Sequence, residues 1–204
     1  MSKDEYQLAV ADLAPFQNQA HALAQLVKEA TFNIVPIEQL QIVKSDREIG
    51  PFIALVGDEV SAPLIGLTPI VEAMHRKYPG NNYLPDDPIL LSRSRALSQI
   101  IEQLLSYQLI ASFAWDQYGR NQDHSQDTGD LILETPPPLV SIGKYFEHVK
   151  SPYIAGEYPT LADCHMAALW WTTEDFGVLD TLESHQELVD WHKRCCTGAP
   201  FTRS

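Results

Sequence analysis

The chain has 204 residues, of which 45% are hydrophobic and 20% are charged, and its formal net charge is −13 at pH 7. This composition is that of a globular protein with one large hydrophobic core or two smaller ones. The 14 Lys and Arg residues are scattered along the sequence, which argues against a nucleic-acid or anionic-membrane partner, because both require basic patches. No apolar stretch approaches the roughly 20 residues that a membrane span requires.

The start of the sequence and its cysteines indicate a cytoplasmic protein. Met1-Ser-Lys-Asp-Glu5 is polar and carries no hydrophobic signal core. The three cysteines are odd in number and have neither C-x-x-C nor metal-ligand spacing, so we expect them to be reduced thiols. The seven histidines show no His-x-x-x-His pair, and we therefore predict no metal site.

The first part of the sequence predicts a βαβ unit. Residues Tyr6–Leu13 have the mixed apolar and polar pattern of a short strand, and the pattern breaks at Ala14-Pro15-Phe16. A helical pattern then runs from Gln19 to Ala30, and a second strand follows at Phe32–Ile37. This order predicts two parallel strands that are joined by one helix.

A ββα unit is predicted next. Pro51–Gly57 has the composition of a third strand, and Ser61–Ile65 that of an edge partner, because Pro63 cannot donate to a sheet. Thr68 is predicted to cap a helix that has Pro69 at its first position and runs to Lys77.

Beyond a proline-punctuated linker at Tyr83–Pro88, the sequence becomes helical. A long helix is predicted over Leu90–Tyr118, and shorter ones over Leu139–Lys150 and Gln186–Cys196. Between the last two, Thr160-Leu-Ala-Asp163 has the Ser/Thr-x-x-acid spacing of a capping box in front of an apolar helix. The sequence thus predicts two domains, residues 1–82 and residues 89–204.

The order of these elements and motifs resembles the cytosolic glutathione S-transferase superfamily. The motifs that carry the resemblance are Ala14-Pro15-Phe16, Lys77-Tyr-Pro79, Leu84-Pro-Asp-Asp-Pro88, Tyr153-Ile-Ala-Gly156, the capping box at Thr160, and Ala199-Pro-Phe-Thr-Arg203. The resemblance implies a thioredoxin-like N-terminal domain that binds glutathione, followed by an all-α C-terminal domain with a hydrophobic substrate pocket. It also implies a homodimer.

The family's catalytic turn is divergent in this chain. The resemblance implies a Ser, Tyr or Cys near the first strand-to-helix turn, where it holds the glutathione sulfur, but no hydroxyl or thiol occurs between Tyr6 and Thr31. We therefore expect the amides of Gln17 and Asn18, together with the backbone N–H groups that open the helix, to stabilise the thiolate. Phe16 lies in the same turn and is expected to contact glutathione.

Two further positions are assigned to glutathione by the resemblance. Gly50-Pro51 matches the Pro, usually cis, that precedes the third strand and whose neighbour pairs with the cysteine of glutathione. Leu67-Thr68 matches the acid-Ser pair that binds the γ-glutamyl group, with Thr68 supplying the hydroxyl if the register slips by one residue. The acidic member of that pair is absent.

The resemblance places the substrate pocket on the long helix, with Tyr107, Phe113 and Trp115 as its expected lining. Three functions remain open. The first is a transferase that joins glutathione to a hydrophobic electrophile, and the second is a glutathione-dependent cis/trans isomerase of a conjugated double bond. The third is a non-catalytic binding or scaffold module, which the missing hydroxyl and the missing acid favour. A domain pair without an appended effector region favours the two enzymes, and we predict a glutathione transferase.

Overall fold

The structure, a computed structural model, describes residues 4–37, 53–56, 63–114, 142, 144–145, 151–177, 180–196 and 200–203. For residues 106–114, 180 and 181 it describes the helical backbone alone. The part of the predicted long helix beyond Ala114 lies outside these residues.

A four-stranded mixed sheet forms the first part of the molecule. Its strands are β1 (Asp4–Val10), β2 (Ala30–Pro36), β3 (Ile53–Val56) and β4 (Leu64–Ile65), in the spatial order β2-β1-β3-β4. β1 pairs with β2 in parallel and with β3 antiparallel, and β3 pairs antiparallel with β4. This is the predicted β-α-β then β-β-α arrangement of a thioredoxin-like domain.

Helix α1 (Ala14–Leu26) joins the two parallel strands, and it begins five residues earlier than the sequence pattern predicts. The prediction placed Pro15 in a break between strand and helix. In the structure Pro15 lies in the first helical turn, where its missing N–H is not needed for a helical hydrogen bond. The helix ends at Leu26, so that Ala30 starts β2 rather than ending the helix.

Helix α2 (Leu67–Lys77) follows β4, and its start differs from the prediction in one respect. Its N-cap is Gly66 rather than Thr68, and Gly66 has a positive φ of 93°. A residue with a Cβ is strained in that conformation, which accounts for the glycine. Thr68 therefore lies inside the first turn, and its hydroxyl is available for contacts with other elements.

The second part of the molecule is helical, as predicted. Its helices are α3 (Pro88–Ala114), α4 (Leu161–Asp175), α5 (Asp180–Glu183) and α6 (Gln186–Cys196). Residues 142, 144 and 145 are also helical, within the predicted range of Leu139–Lys150. Among the described helices, none is both long and apolar enough to cross a bilayer.

Most buried side chains of the sheet and of α1 to α6 form one core, and Ala9, Ala11, Ile37 and Ala54 form a second, smaller cluster. Trp171, Trp191 and Phe201 are among the largest side chains that are completely buried in the larger core. The three cysteines are free and buried, so each contributes to packing. Since the sheet-containing part and the helical part share this core, residues of α4 can support residues at the start of α1 and α2.

Candidate functional site

One end of the sheet brings together the starts of α1 and α2. β1 and β4 both run towards this end, because each is antiparallel to β3. Val10, the last residue of β1, pairs with Ile53, the first residue of β3, and the N–H of Gly66 donates to the carbonyl of Ile53 over 2.8 Å. The first turns of both helices therefore lie side by side, with the positive ends of their dipoles at the same end of the sheet.

The first turn of α1 offers few backbone donors. Pro15 has no N–H, and the N–H groups of Phe16 and Gln17 both donate to the carbonyl of Leu13, over 3.0 and 3.1 Å. The expected contribution of several free N–H groups at this helix start is thus reduced. The side chain of Gln17 is partly exposed, and its Nε2 makes a long contact of 3.4 Å with the carbonyl of Ala11. Phe16 is partly buried against the core.

Asn18 points away from the sheet end and into the contact with α4. Its Nδ2 donates to Oγ1 of Thr172 over 3.1 Å and to Oδ2 of Asp175 over 2.9 Å. An amide nitrogen carries two protons, and these two acceptors use both of them. Asn18 is buried, so in this arrangement its amide serves the contact between α1 and α4, and neither proton is directed at a ligand.

At the start of α2, Leu67 and Thr68 have different environments. Leu67 is buried in the core, so any contact that it makes with a ligand must come from its backbone. Thr68 is partly exposed, and its hydroxyl donates to Oε1 of Glu102 on α3 over 3.2 Å. The same hydroxyl lies 3.3 Å from Nε2 of His165 on α4. Thr68 thus sits where the two parts of the molecule meet.

Glu102 and His165 complete a cluster with Thr68. Nε2 of His165 lies 3.3 Å from Oε1 of Glu102, and His165 is completely buried whereas the Glu102 side chain is 41% exposed. Burial lowers the pKa of His165 to about 3, so the imidazole is neutral at physiological pH. Burial also raises the pKa of the Glu102 carboxyl, against the hydrogen bond from Thr68 that lowers it.

The tautomer of His165 follows from its surroundings. Among the described residues, Nδ1 of His165 is buried without a hydrogen-bond partner. A buried N–H without an acceptor costs more free energy than a buried ring nitrogen whose lone pair has no donor. The proton of the neutral ring therefore belongs on Nε2. Nε2–H then donates to the oxygen of Thr68 or Glu102, and this tautomer orients the hydroxyl of Thr68 towards Glu102.

Glu102 and His165 were not predicted from the sequence. A signal was present in α3, because Ser94, Ser98 and Glu102 are spaced four residues apart and therefore lie on one face of the helix. Ser94 and Ser98 are buried, and Oγ of Ser94 lies 3.4 Å from Oγ1 of Thr160. A polar stripe on a buried face indicates a polar partner on the neighbouring helix.

The capping box at the start of α4 is confirmed. The carboxylate of Asp163 accepts from the N–H of Thr160 over 2.9 Å and from its hydroxyl over 3.1 Å. Asp163 also accepts from the N–H of Ile154 over 3.0 Å and from Nε1 of Trp191 over 2.9 Å. Burial raises the pKa of this carboxyl, while the four hydrogen bonds favour its charged form.

The side chains of the remaining predicted site residues lie outside the described part of the molecule. Gly50 and Pro51, before β3, are not among the described residues, and neither is Trp115, just beyond the end of α3. Tyr107 and Phe113 belong to the helical backbone of α3, but their side chains are not described. The predictions for these five residues stay predictions.

The groups at this end of the sheet are suited to bind an anionic ligand that contains amide groups. Two helix starts face the same region and favour negative charge. Thr68 supplies a hydroxyl, Gln17 an amide, and Glu102 an acid in the same neighbourhood. These are groups for recognition and for stabilising an anion, whereas the first turn of α1 contains no nucleophilic side chain.

Comparisons with known proteins agree with this architecture. Residues 139–198 match the family model described as glutathione S-transferase, C-terminal domain. No curated protein matches the sequence significantly.

Solved structures similar to this chain cover almost its whole length. Maleylacetoacetate isomerase from Anaeromyxobacter dehalogenans 2CP-1, with bound dicarboxyethyl glutathione and citrate, has a TM-score of 0.71 and 19% identity, over 97% of this chain and 89% of that one. A glutathione S-transferase from Methylobacterium radiotolerans, in complex with glutathione sulfonate, has a TM-score of 0.73 and 16% identity, over 98% and 97%. A glutathione S-transferase from Methylobacillus flagellatus KT with glutathione bound has a TM-score of 0.70 and 16% identity, over 96% of each chain.

These likenesses establish the fold, and the match at residues 139–198 supports the same family from the sequence. The chain therefore has the fold of glutathione S-transferases, and its residues 139–198 match the model of that family's C-terminal domain.

Proposed function

We propose that this protein is a glutathione-dependent transferase that acts on a small hydrophobic electrophile, and that it works as a cytoplasmic homodimer. The observation that carries the proposal is that the first turn of α1 and the hydroxyl of Thr68 on α2 occupy the same end of the sheet. Similar structures carry glutathione or a glutathione analogue, and they share this fold over nearly the whole chain.

The γ-glutamyl end of glutathione is proposed to bind at the start of α2. Its carboxylate meets the positive end of the helix dipole and the hydroxyl of Thr68, whose one proton turns from Glu102 to the ligand, with the backbone of Leu67 beside it. Its ammonium group needs an acid, and the sequence of α2 offers none in its first turn. Glu102 lies within hydrogen-bond reach of Thr68, and we assign this role to it, although it comes from α3.

The cysteine of glutathione is proposed to lie between Gly50-Pro51 and the first turn of α1. A thiol has a pKa of about 8.5 and is mostly protonated at neutral pH, so donors near the sulfur are needed to populate the thiolate. Gln17 is the first candidate, because its amide makes one long contact among the residues that the structure describes. Asn18 is a donor only if it gives up a bond to α4. Phe16 supplies apolar contact.

The electrophile is proposed to bind beside the far end of α3, where Tyr107, Phe113 and Trp115 provide aromatic surface. Bound thiolate then attacks the electrophile, so that a carbon–sulfur bond forms while the bond to the leaving group, such as a halide, breaks and the leaving group departs with its electron pair. In the alternative reaction the thiolate adds to a conjugated double bond, the resulting single bond rotates, and the thiolate leaves, so that no glutathione is consumed. The likeness to a maleylacetoacetate isomerase favours keeping this second reaction.

Product analysis tests these alternatives. The purified protein is incubated with glutathione and either an activated aryl halide or a cis-configured conjugated diacid, and the products are identified by mass spectrometry and NMR. A glutathione conjugate formed faster than in the absence of protein supports the transferase. A trans diacid with unchanged total glutathione supports the isomerase. Glutathione binding without either product would contradict both enzymes and favour the scaffold module.

A further inference from the structure

Asp175, the last residue of α4, connects two segments that are distant in sequence. Its Oδ2 accepts the hydrogen bond from Nδ2 of Asn18 over 2.9 Å, and its Oδ1 accepts from Nη2 of Arg203, near the end of the chain. A carboxylate with both oxygens engaged has a fixed orientation. The position of Arg203 is thus linked to the position of Asn18 through one side chain.

The last turn of α4 concentrates negative charge, which a cation would stabilise. Glu174 and Asp175 are adjacent in its last turn, which contains no basic residue, and the C-terminus of a helix is the negative end of its dipole. Both carboxylates are therefore unfavourably placed on their own helix. Arg203 supplies the missing cation, because Nη1 donates to Oε2 of Glu174 over 2.8 Å while Nη2 binds Asp175.

The tail that carries Arg203 is itself fixed to the protein. Phe201 is completely buried, and its N–H donates to the carbonyl of Cys195 over 2.8 Å. Thr202 pairs with Gln25 of α1 through two hydrogen bonds of 2.5 Å, one from its N–H and one to its carbonyl. Arg203 therefore reaches Asp175 from a backbone that is held on both sides, at a small cost in conformational entropy.

We propose that Arg203 is a positioning residue of the glutathione site: by holding Asp175 against Asn18, it fixes the rotation of the first turn of α1, which carries Gln17. This inference rests on the proposed function of that turn. Asn18 is adjacent to Gln17 in the chain and is buried between α1 and α4, so a shift of Asn18 is passed to its neighbour through the helix backbone. Small displacements of a donor weaken its contribution to anion stabilisation strongly.

Loss of the Arg203 cation has a defined consequence in this arrangement. The carboxylates of Glu174 and Asp175 then repel each other at the negative end of α4, and Asp175, whose side chain is 29% exposed, turns towards water. Of its two described acceptors Asn18 then keeps Thr172, and the first turn of α1 is less constrained. The thiol of bound glutathione is then expected to have a higher pKa.

The test compares two variants with the full-length wild type. Arg203→Met removes the cation and keeps a side chain of similar length, whereas Glu174→Gln removes the other carboxylate partner of Arg203 and leaves Asp175 untouched. The thiolate absorbance of bound glutathione is titrated against pH, affinity is measured with S-methylglutathione, and the melting temperature is recorded. We expect the thiol pKa to rise by about half a unit or more in Arg203→Met and to stay unchanged in Glu174→Gln.

A double variant separates positioning from general stability. In the double variant Arg203→Met/Asn18→Ala the thiol pKa should equal that of Asn18→Ala alone, because both residues act through Asp175. A lower melting temperature of Arg203→Met with an unchanged thiol pKa would overturn the positioning role while glutathione binding stands. A wild-type protein that does not bind glutathione would instead overturn the proposed function, and this inference with it.

Discussion

Nε1 of Trp191 on α6 donates to Oδ1 of Asp163 at the start of α4 over 2.9 Å, in a completely buried contact. The sequence predicts Asp163 as half of a capping box, but in the structure the same carboxylate also holds α6 and the N–H of Ile154. One side chain therefore organises a helix start, a preceding loop and a neighbouring helix.

The first prediction concerns the stability of this junction. Asp163→Ala leaves the N–H groups of Thr160, Ile154 and Trp191 without an acceptor, and we expect it to lower the free energy of unfolding by about 2 to 4 kcal/mol. Thr160→Ala removes one hydroxyl and should cost about 1 kcal/mol. Urea unfolding of both variants measures these values. An Asp163→Ala cost no larger than that of Thr160→Ala would show that the bonds to Ile154 and Trp191 contribute little.

The second prediction concerns pH. Burial lowers the pKa of His165 to about 3, so between its ordinary pKa of 6.5 and 3 the unfolded chain binds a proton that the folded chain does not. The stabilising contribution is therefore complete above pH 6.5 and is lost as the pH falls towards 3. Below pH 6 the loss approaches about 1.4 kcal/mol per pH unit, the value for one proton.

The variant His165→Gln checks this directly. Glutamine cannot take up a proton, so its free energy of unfolding should fall less steeply than that of the wild type between pH 6 and pH 4. Glu102 and Asp163 have pKa values raised by burial, and they act in the opposite direction in both proteins. The difference between the two curves therefore isolates His165. Parallel curves would contradict the neutral, buried assignment.

The third prediction tests the role of Thr68. Thr68→Val removes the hydroxyl and keeps the shape of the side chain, and we expect glutathione to bind about tenfold more weakly, as the loss of one hydrogen bond to a charged group implies. Thr68→Ser retains the hydroxyl and serves as the matched control, with affinity close to that of the wild type. Equal losses in the two variants would show that packing of the Thr68 methyl group, rather than its hydroxyl, supports binding.

The fourth prediction separates Gln17 from Asn18. If Gln17 donates to the thiolate, Gln17→Ala raises the pKa of bound glutathione and slows turnover more at neutral pH than at high pH. Asn18→Ala breaks bonds to Thr172 and Asp175, so it should also lower the melting temperature. Thiolate absorbance and thermal unfolding distinguish the two effects. An unchanged titration in both variants would assign the sulfur contact to the backbone or to the helical domain.

Much of the fold follows from local sequence signals. The Thr160 capping box and the helix at Gln186–Cys196 are found where they are predicted, because capping and amphipathic spacing are local properties. The start of α1 was misplaced, since a proline after a strand is compatible with a break and also with a first helical turn. The local sequence does not distinguish a break from a first helical turn.

The site was only partly predictable, because its contacts join elements far apart in the sequence. Asn18 meets Asp175 across 157 residues, and Thr68 meets His165 across 97. Sequence spacing identified Thr68 as a polar residue at a helix start, but it could not show that Gly66 caps the helix and leaves the Thr68 hydroxyl for Glu102. Tertiary packing decides these assignments.

The most direct test of the central claim is a calorimetric titration of the purified wild-type protein with glutathione. We expect saturable binding with one site per chain, weakened by Thr68→Val and by Glu102→Gln, since each removes a proposed contact to the γ-glutamyl group. Cysteinylglycine, which lacks that group, should bind much more weakly. Absence of heat from glutathione at millimolar concentration, or equal affinity for glutathione and cysteinylglycine, would contradict the proposed glutathione site.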